Sequence, residues 1–302
     1  MWSKAKAKLT GQLPAGHFRR QEKATEETNK LLRGIQSELR EQRKYLETFR
    51  LVVARDVLQE VEQFTAEHQW DFTRTLERII EQRLSFARFG DGELRIMLRP
   101  EFNLRFQRWT PGLAADLKAV LTYDGYDPEQ LLVGFPYPYR SLYWSDLWLD
   151  IWPQLRPLLR TDIPYGTTHV SRPIFFDLLR NEGVDLWRKV WQDREVCIVT
   201  GEGSRFDLVP ELFDNVAGTR FVYSTPTNAY TDVPRLMDEL KREDPDLLYL
   251  VALGPAGTLV TAQLARMGRW AIDVGHISAS WANVFAGGKW PERLDLTRKP
   301  GD

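Results

Sequence analysis

The chain has 302 residues, 43% of them hydrophobic and 27% charged, proportions that support a folded protein with a sizeable core. Its 41 basic and 42 acidic residues leave a net charge of −1, which argues against broad nucleic-acid binding, a mode that needs excess positive charge to release counterions, but leaves room for a small basic pocket. One cysteine, Cys197, excludes a disulfide framework and a cysteine-rich zinc site; within Val196-Cys197-Ile198-Val199 it reads as a small core residue of a buried strand.

Residues 1–20, rich in Lys, Gly and Pro, read as a disordered tail. They are basic but carry no apolar stretch before a cleavage site, so they do not read as a secretory signal. No stretch approaches the roughly 20 apolar residues that span a bilayer. The expected location is cytoplasmic, the inner membrane surface included.

Residues 21–69 read as an N-terminal helical region. Leu32, Ile35, Leu39, Leu46, Phe49 and Val53 recur on alternating steps of three and four, with Gln42 filling the missing step and charged residues between. This is a seam of about three heptads. Two readings are open: a coiled coil that makes the protein a homo-oligomer, or one amphipathic helix lying on its own domain. The helical pattern continues through Val57, Val61 and Phe64 and gives way near Trp70-Asp71-Phe72 to a second helix over residues 73–82.

From there strands alternate with helices. Apolar runs at residues 84–89, 131–135, 195–200, 219–223, 247–253 and 270–274 read as strands, and residues 173–181, 233–242 and 258–267 as helices. Near-continuous apolar strands separated by helices predict an α/β fold, with a Rossmann-like, mostly parallel sheet covered by helices on both faces, over residues 70–302. Ligands of such sheets bind outside the carboxyl ends of the strands. The strand exits are Gly90-Asp91-Gly92-Glu93, Gly201-Glu202-Gly203-Ser204-Arg205, Gly254-Pro255-Ala256-Gly257-Thr258 and Gly275-His276.

Asp91 and Glu93 flank Gly92 at the first exit. Two carboxylates one residue apart suit Mn²⁺ or Mg²⁺, which could bridge a nucleotide diphosphate. The same residues also read as a helix start, Asp91 capping and Glu93 complementing the dipole. Gly254, Pro255, Gly257 and Thr258 form a turn into a helix whose free N–H groups could take a phosphate, or a plain strand-to-helix turn. Gly201 and Gly203 let backbone approach a ligand; Arg205 could pair with phosphate and Glu202 act as a base, or both are solvated charges. His276 reads either as a proton-transfer or diphosphate contact or as a structural histidine. Arg172, in His169-Val170-Ser171-Arg172-Pro173, reads as an anion clamp or a packed helix start. The aromatics Tyr137, Tyr139, Tyr143, Trp144, Trp148 and Trp152 read as an acceptor platform or as core packing.

The segment Ser85-Phe86-Ala87-Arg88-Phe89-Gly90-Asp91-Gly92-Glu93-Leu94 resembles the N-terminal signature of the GT-D fold glycosyltransferases, a family first catalogued as a domain of unknown function. Residues 168–173, 226–230, 253–258 and 271–276 resemble its later segments, in order. The resemblance covers roughly residues 75–290. It implies a nucleotide-binding α/β fold and transfer of a sugar from a nucleotide sugar, usually a UDP-sugar, to a glycan, glycoprotein or lipid-linked acceptor. It makes Asp91 and Glu93 metal or diphosphate ligands. Arg88, Gly90, Gly92, Arg172, Asn228 and residues 254–258 then support the donor. Ser224-Thr225-Pro226 departs from the family's more usual apolar-Pro-Ser/Cys run. Two other classes compete: a methyl- or phosphoryl-transferring enzyme on the same sheet, and a non-catalytic assembly protein.

Overall fold

The computed structural model describes residues 15–139 and 141–295. Of the expected disordered tail, residues 1–14 lie outside these; from Ala15 the chain is helical. In chain order the helices are α1 (Ala15–His68), α2 (Phe72–Gln82), α3 (Asp91–Leu98), α4 (Pro111–Leu121), α5 (Leu142–Leu155), α6 (Pro173–Trp191), α7 (Pro210–Phe213), α8 (Val233–Leu240), α9 (Pro255–Arg266) and α10 (Ile277–Phe285). The strands are β1 (Ser85–Arg88), β2 (Leu131–Phe135), β3 (Gly166–Thr167), β4 (Glu195–Gly201), β5 (Gly218–Ser224), β6 (Leu248–Ala252) and β7 (Ala271–Asp273).

Two compact units meet at Asp56 and Val57, short of the expected boundary at 69/70. In the first, no residue between Glu22 and Val53 is buried. The second takes in the end of α1, because Val61 and Phe64 are part of its apolar core. Asp71 caps α2, accepting from the Arg74 N–H at 2.7 Å, and Arg83 ends it in the left-handed region.

The strands form one parallel sheet in the order β3-β2-β1-β7-β6-β4-β5. Successive strand residues point to opposite faces, and the core obeys this. Phe86, Val196, Ile198, Leu248 and Leu250 pack toward α2, α6 and α10. Ala87 and Val133 pack toward α3, α4 and α5, and Cys197, Val199, Tyr249 and Val251 toward α8 and α9. Both faces are therefore covered, which is why β2, β4 and β6 are apolar along most of their length. The chain walks outward from β1 to β3, then crosses to the other half. β1 and β7 thus lie where the halves meet, the place where open α/β sheets hold their ligands.

Candidate active site

The β1 exit is organised by α3. Gly90 is its cap residue, not Asp91; the Glu93 carboxylate turns back to accept from the Gly90 N–H at 2.8 Å. Asp91 and Glu93 thus share the first helical turn, where the positive end of the helix dipole favours negative charge. The Tyr143 hydroxyl, from α5, donates to Asp91. Burial pushes the Glu93 carboxyl up to about 7, and the negative charges of Asp273 and Asp91 push the same way.

Beneath them Arg88 leaves the end of β1. Its Nε donates to the Thr168 carbonyl at 2.9 Å, and its Nη1 lies 3.5 Å from Asp273 Oδ1 at the end of β7. Thr258 Oγ1 donates to the Arg88 carbonyl at 2.8 Å. Burial raises Asp273 to about 6, against the pull of Arg88 and the Gly275 N–H. Gly275 adopts φ +49°, and a Cβ there would sit 1.9 Å from Arg88 Nη1. Only glycine satisfies both the left-handed backbone and that approach.

A cavity of about 750 Å³ opens over these groups and is walled by the carboxyl-end loops of the sheet. One wall is cationic, with Arg105, Arg172 and Arg205, and the neutral His276 lies in the same cavity. The segment Trp290–Leu294 crosses this wall. Arg172 pairs with Glu292, Arg205 donates to the Pro291 carbonyl at 3.4 Å, and Arg105 donates to the Leu294 carbonyl at 2.7 Å. His276 is open to the cavity solvent. Enclosure by the walls, then the charges of Arg172, Arg88 and Arg205, hold its imidazole below the ordinary histidine range.

Another part of the lining, adjoining Arg172, is aromatic. Tyr139 and Trp144 meet the His169 ring edge-on at 4.8 and 5.1 Å. Burial and the nearby Arg172 and Arg88 keep His169 neutral, and its Nδ1 is buried with no hydrogen-bond partner. The aromatic segment therefore divides. Tyr139 and Trp144 line the cavity, whereas Trp148 and Trp152 are fully buried core residues.

Of the residues singled out from sequence, Arg88, Gly90, Asp91, Gly92, Glu93, Arg172, Gly201, Gly254 and His276 line this cavity together. Arg205, Tyr139 and Trp144 line it as well, whereas Glu202, Gly203, Pro255, Gly257, Thr258 and Asn228 do not. Glu202 and Gly203 are exposed beside the rim. Pro255, Gly257 and Thr258 are buried in the start of α9, Thr258 acting through Arg88. Asn228 sits in an adjoining groove, in the left-handed region. It donates its N–H to Phe106 O at 2.7 Å and accepts from the Arg108 N–H at 2.9 Å, so it pins the loop that brings Leu104, Phe106 and Gln107 to the cavity. Asp273 was not singled out, although a lone carboxylate at the end of an apolar strand is a readable signal. The contribution of Glu292 carried no such signal. Among the described residues no group of three or more His, Cys, Asp or Glu side chains is arranged to hold a metal by itself.

The family described as glycosyltransferase GT-D fold matches residues 86–297, from the middle of β1 past the crossing segment. The chain belongs to the GT-D glycosyltransferase family. Among its relatives, glycosyltransferase GlyD of Streptococcus pneumoniae serotype 4 is 26% identical over 227 residues, 71% of this chain and 27% of that one. A probable glycosyl transferase, Gly, of Streptococcus gordonii is 25% identical over 218 residues, 69% of this chain and 32% of that one. The GT-D chain thus spans about a third or less of the length of these relatives. In fold it is similar to a glycosyltransferase (DUF1792) from Streptococcus sanguinis, with a TM-score of 0.66 and 24% identity over 73% of this chain and 85% of that one. It is also similar to a structure described as the domain of unknown function 1792 with a distinct glycosyltransferase fold. There the TM-score is 0.70 and the identity 22%, over 81% of this chain and 90% of that one. No helix among the described residues is long and apolar enough to cross a membrane.

Proposed function

We propose that this GT-D chain is a glycosyltransferase that moves a hexose from a nucleotide-diphosphate sugar, a UDP-sugar by family resemblance, to a glycan, glycoprotein or lipid-linked acceptor. The observation that carries the reading is one cavity whose lining combines arginines, aromatic rings and the carboxylates Asp91 and Glu93. A volume of about 750 Å³ suits a nucleotide sugar. Guanidinium groups suit a diphosphate, and aromatic faces suit the C–H surface of a sugar.

Asp91 and Glu93 fit a divalent ion in chemistry: two hard oxygen donors on one turn, one of them an enclosed carboxylate that accepts from the Gly90 N–H. The set is too small to hold an ion alone, so phosphate and water would complete the sphere. Mn²⁺ or Mg²⁺ bound there supplies charge neutralisation to the departing nucleotide. The chain's own residues do the rest. Arg172 and Arg205 bind phosphate oxygens, displacing the contacts to Glu292 and Pro291. Arg88, tied to Asp273 and Thr168, positions the β1 exit rather than touching the donor. Tyr143 orients Asp91. His276, neutral near pH 7, can accept or donate a hydrogen bond at the donor. Glu202, exposed beside the rim, is left without an assigned proton-transfer step.

The test is UDP release from a panel of UDP-sugars, with Mn²⁺ and with EDTA. Turnover that needs the ion supports the reading. Full turnover in excess EDTA removes the metal from it. No release from any nucleotide sugar, with methyl or phosphoryl transfer observed instead, overturns it.

A further inference from the structure

The first unit carries an exposed apolar face. Leu32, Ile35, Leu39, Leu46, Phe49 and Val53 lie along one side of α1 and are 53–70% exposed. Leu31, Tyr45 and Val52 widen the stripe and are also exposed. Soluble proteins avoid a contiguous stripe of this kind unless something covers it. The nine side chains offer on the order of 900 Å² per helix, near the roughly 800 Å² per partner of a stable interface.

We propose that α1 between Leu32 and Val53 is a self-association surface that pairs in parallel and in register with a second copy of this chain. The inference stands apart from the catalytic reading. Three features of the seam choose the occupant and its direction. First, the spacing is that of a heptad, with Leu32, Leu39, Leu46 and Val53 at one core position and Ile35, Gln42 and Phe49 at the other. An identical helix presents the matching seam. Second, parallel register sets Gln42 against Gln42 of the second copy, where each amide has a partner. An antiparallel pair that keeps the apolar layers sets Gln42 against Leu39 or Leu46 instead and buries an unpaired amide, which costs about 1–3 kcal/mol. Third, Glu38 and Arg43 flank the core at positions that face each other across a parallel pair, five residues apart. Two-fold symmetry makes that attraction twice. In the antiparallel pair these flanking positions meet their own kind, and Glu38 and Arg43 are separated. Gly34 weakens the isolated helix by roughly 1 kcal/mol relative to alanine, so pairing rather than intrinsic propensity has to hold this stretch together.

The full chain at micromolar concentration should scatter light with at least twice the monomer mass. Cys197 is fully buried, so an introduced thiol is the reactive one. Leu46→Cys and, separately, Leu32→Cys should each link to themselves under mild oxidation and give a dimer band on a non-reducing gel. The double variant Leu39→Glu/Leu46→Glu should halve the mass or more, while its thermal unfolding shows the sheet unit intact. A monomeric full chain overturns the proposal. So does cross-linking that occurs only when Leu32→Cys is mixed with Phe49→Cys, or Ile35→Cys with Val53→Cys, which are the antiparallel pairings, and so does an unchanged mass in the double variant.

Discussion

The two walls of the cavity are built from different parts of the chain and hold opposite chemistry. The cationic wall gathers Arg105, Arg172 and Arg205 from loops that lie far apart in sequence, and each guanidinium already has an oxygen partner in the crossing segment 290–294. The aromatic wall comes from a short stretch after β2, Tyr139 to Trp144, backed by His169, and its groups meet ring to ring. One wall is thus prepared for charge and the other for apolar surface, and the carboxylates of α3 line the same cavity. In the proposed reaction the first should govern the donor and the second the acceptor, so substitutions on the two walls should separate donor hydrolysis from transfer.

Removing the carboxylates should abolish that separation, and it carries the largest expected effect. Asp91→Asn and Glu93→Gln should each lower both UDP release and transfer by about 10²–10³-fold, the scale on which a group stabilising transition-state charge is lost. The fold should persist, because both substitutions keep the side-chain shape. Loss in only one of the two assays would mean that the carboxylates belong to one wall and not to both.

On the cationic side, Arg172→Ala should raise the donor KM about 10- to 100-fold, in line with charge-assisted hydrogen bonds of about 1.5–3 kcal/mol. The acceptor KM should stay within a factor of about two to three, the usual scatter of such effects. Competition with Glu292 makes a companion test. Glu292→Gln, which weakens the resident partner of Arg172, should lower the donor KM. A donor KM unchanged in both variants would remove Arg172 from the donor site.

Much of this arrangement was legible before any coordinates. Five strands announced themselves because burial on both faces keeps a strand apolar, and the edge strand β5 did so through Phe221-Val222-Tyr223 although it is mostly exposed; the strand exits named loops that form the cavity. β3 did not, since two residues, Gly166 and Thr167, carry no apolar run. Helix α6 runs ten residues beyond the expected end at residue 181. The break is local, with Arg180 at φ 49° and ψ −128°, and the helix resumes to bury Trp187 and Trp191. Glycines such as Gly203 look alike in sequence whether or not they reach a ligand. Pairings across long separations were the least legible. Tyr143 reaches Asp91 over 52 positions and Arg172 reaches Glu292 over 120. Each is a consequence of topology, which no local pattern encodes.

The aromatic wall should respond in the opposite assay and more weakly. Trp144→Ala should reduce transfer about tenfold, the upper range of an aromatic contact of 0.5–1.5 kcal/mol beyond its buried area. UDP release by hydrolysis should be near wild type, since the ring partners of Trp144 are Tyr139, Tyr143 and His169. Trp148→Ala sharpens the contrast. That ring is fully buried, so its loss should appear as lost stability, by about 3–5 kcal/mol, rather than as altered transfer. Equal losses of transfer and hydrolysis in Trp144→Ala would unite the walls and defeat the division.

The smallest effect lies at the carboxylates themselves and is read as stability against pH, in EDTA. Glu93 titrates at about 7 and Asp273 at about 6 in the folded chain, both raised by burial above the ordinary carboxylate range. A group whose folded value is raised binds its proton more readily when folded, so protonation favours the fold. That contribution is complete below about pH 4, where the unfolded carboxylates are also protonated, and is lost as pH rises through 6 and 7. The metal-free protein should therefore become less stable between pH 5.5 and pH 8, with a slope of at most about 1.4 kcal/mol per pH unit for each proton. Glu93 is partly reached by solvent, which screens its share to about 1 kcal/mol in all. Glu93→Gln keeps the shape and has no charge to lose. It should match the wild type near pH 5 and exceed it by about 1 kcal/mol at pH 8, with the remaining slope due to Asp273. Denaturant midpoints at a series of pH values measure this directly. Parallel curves for the two proteins would show that Glu93 carries no such shift and that its surroundings are no more enclosed than the two walls.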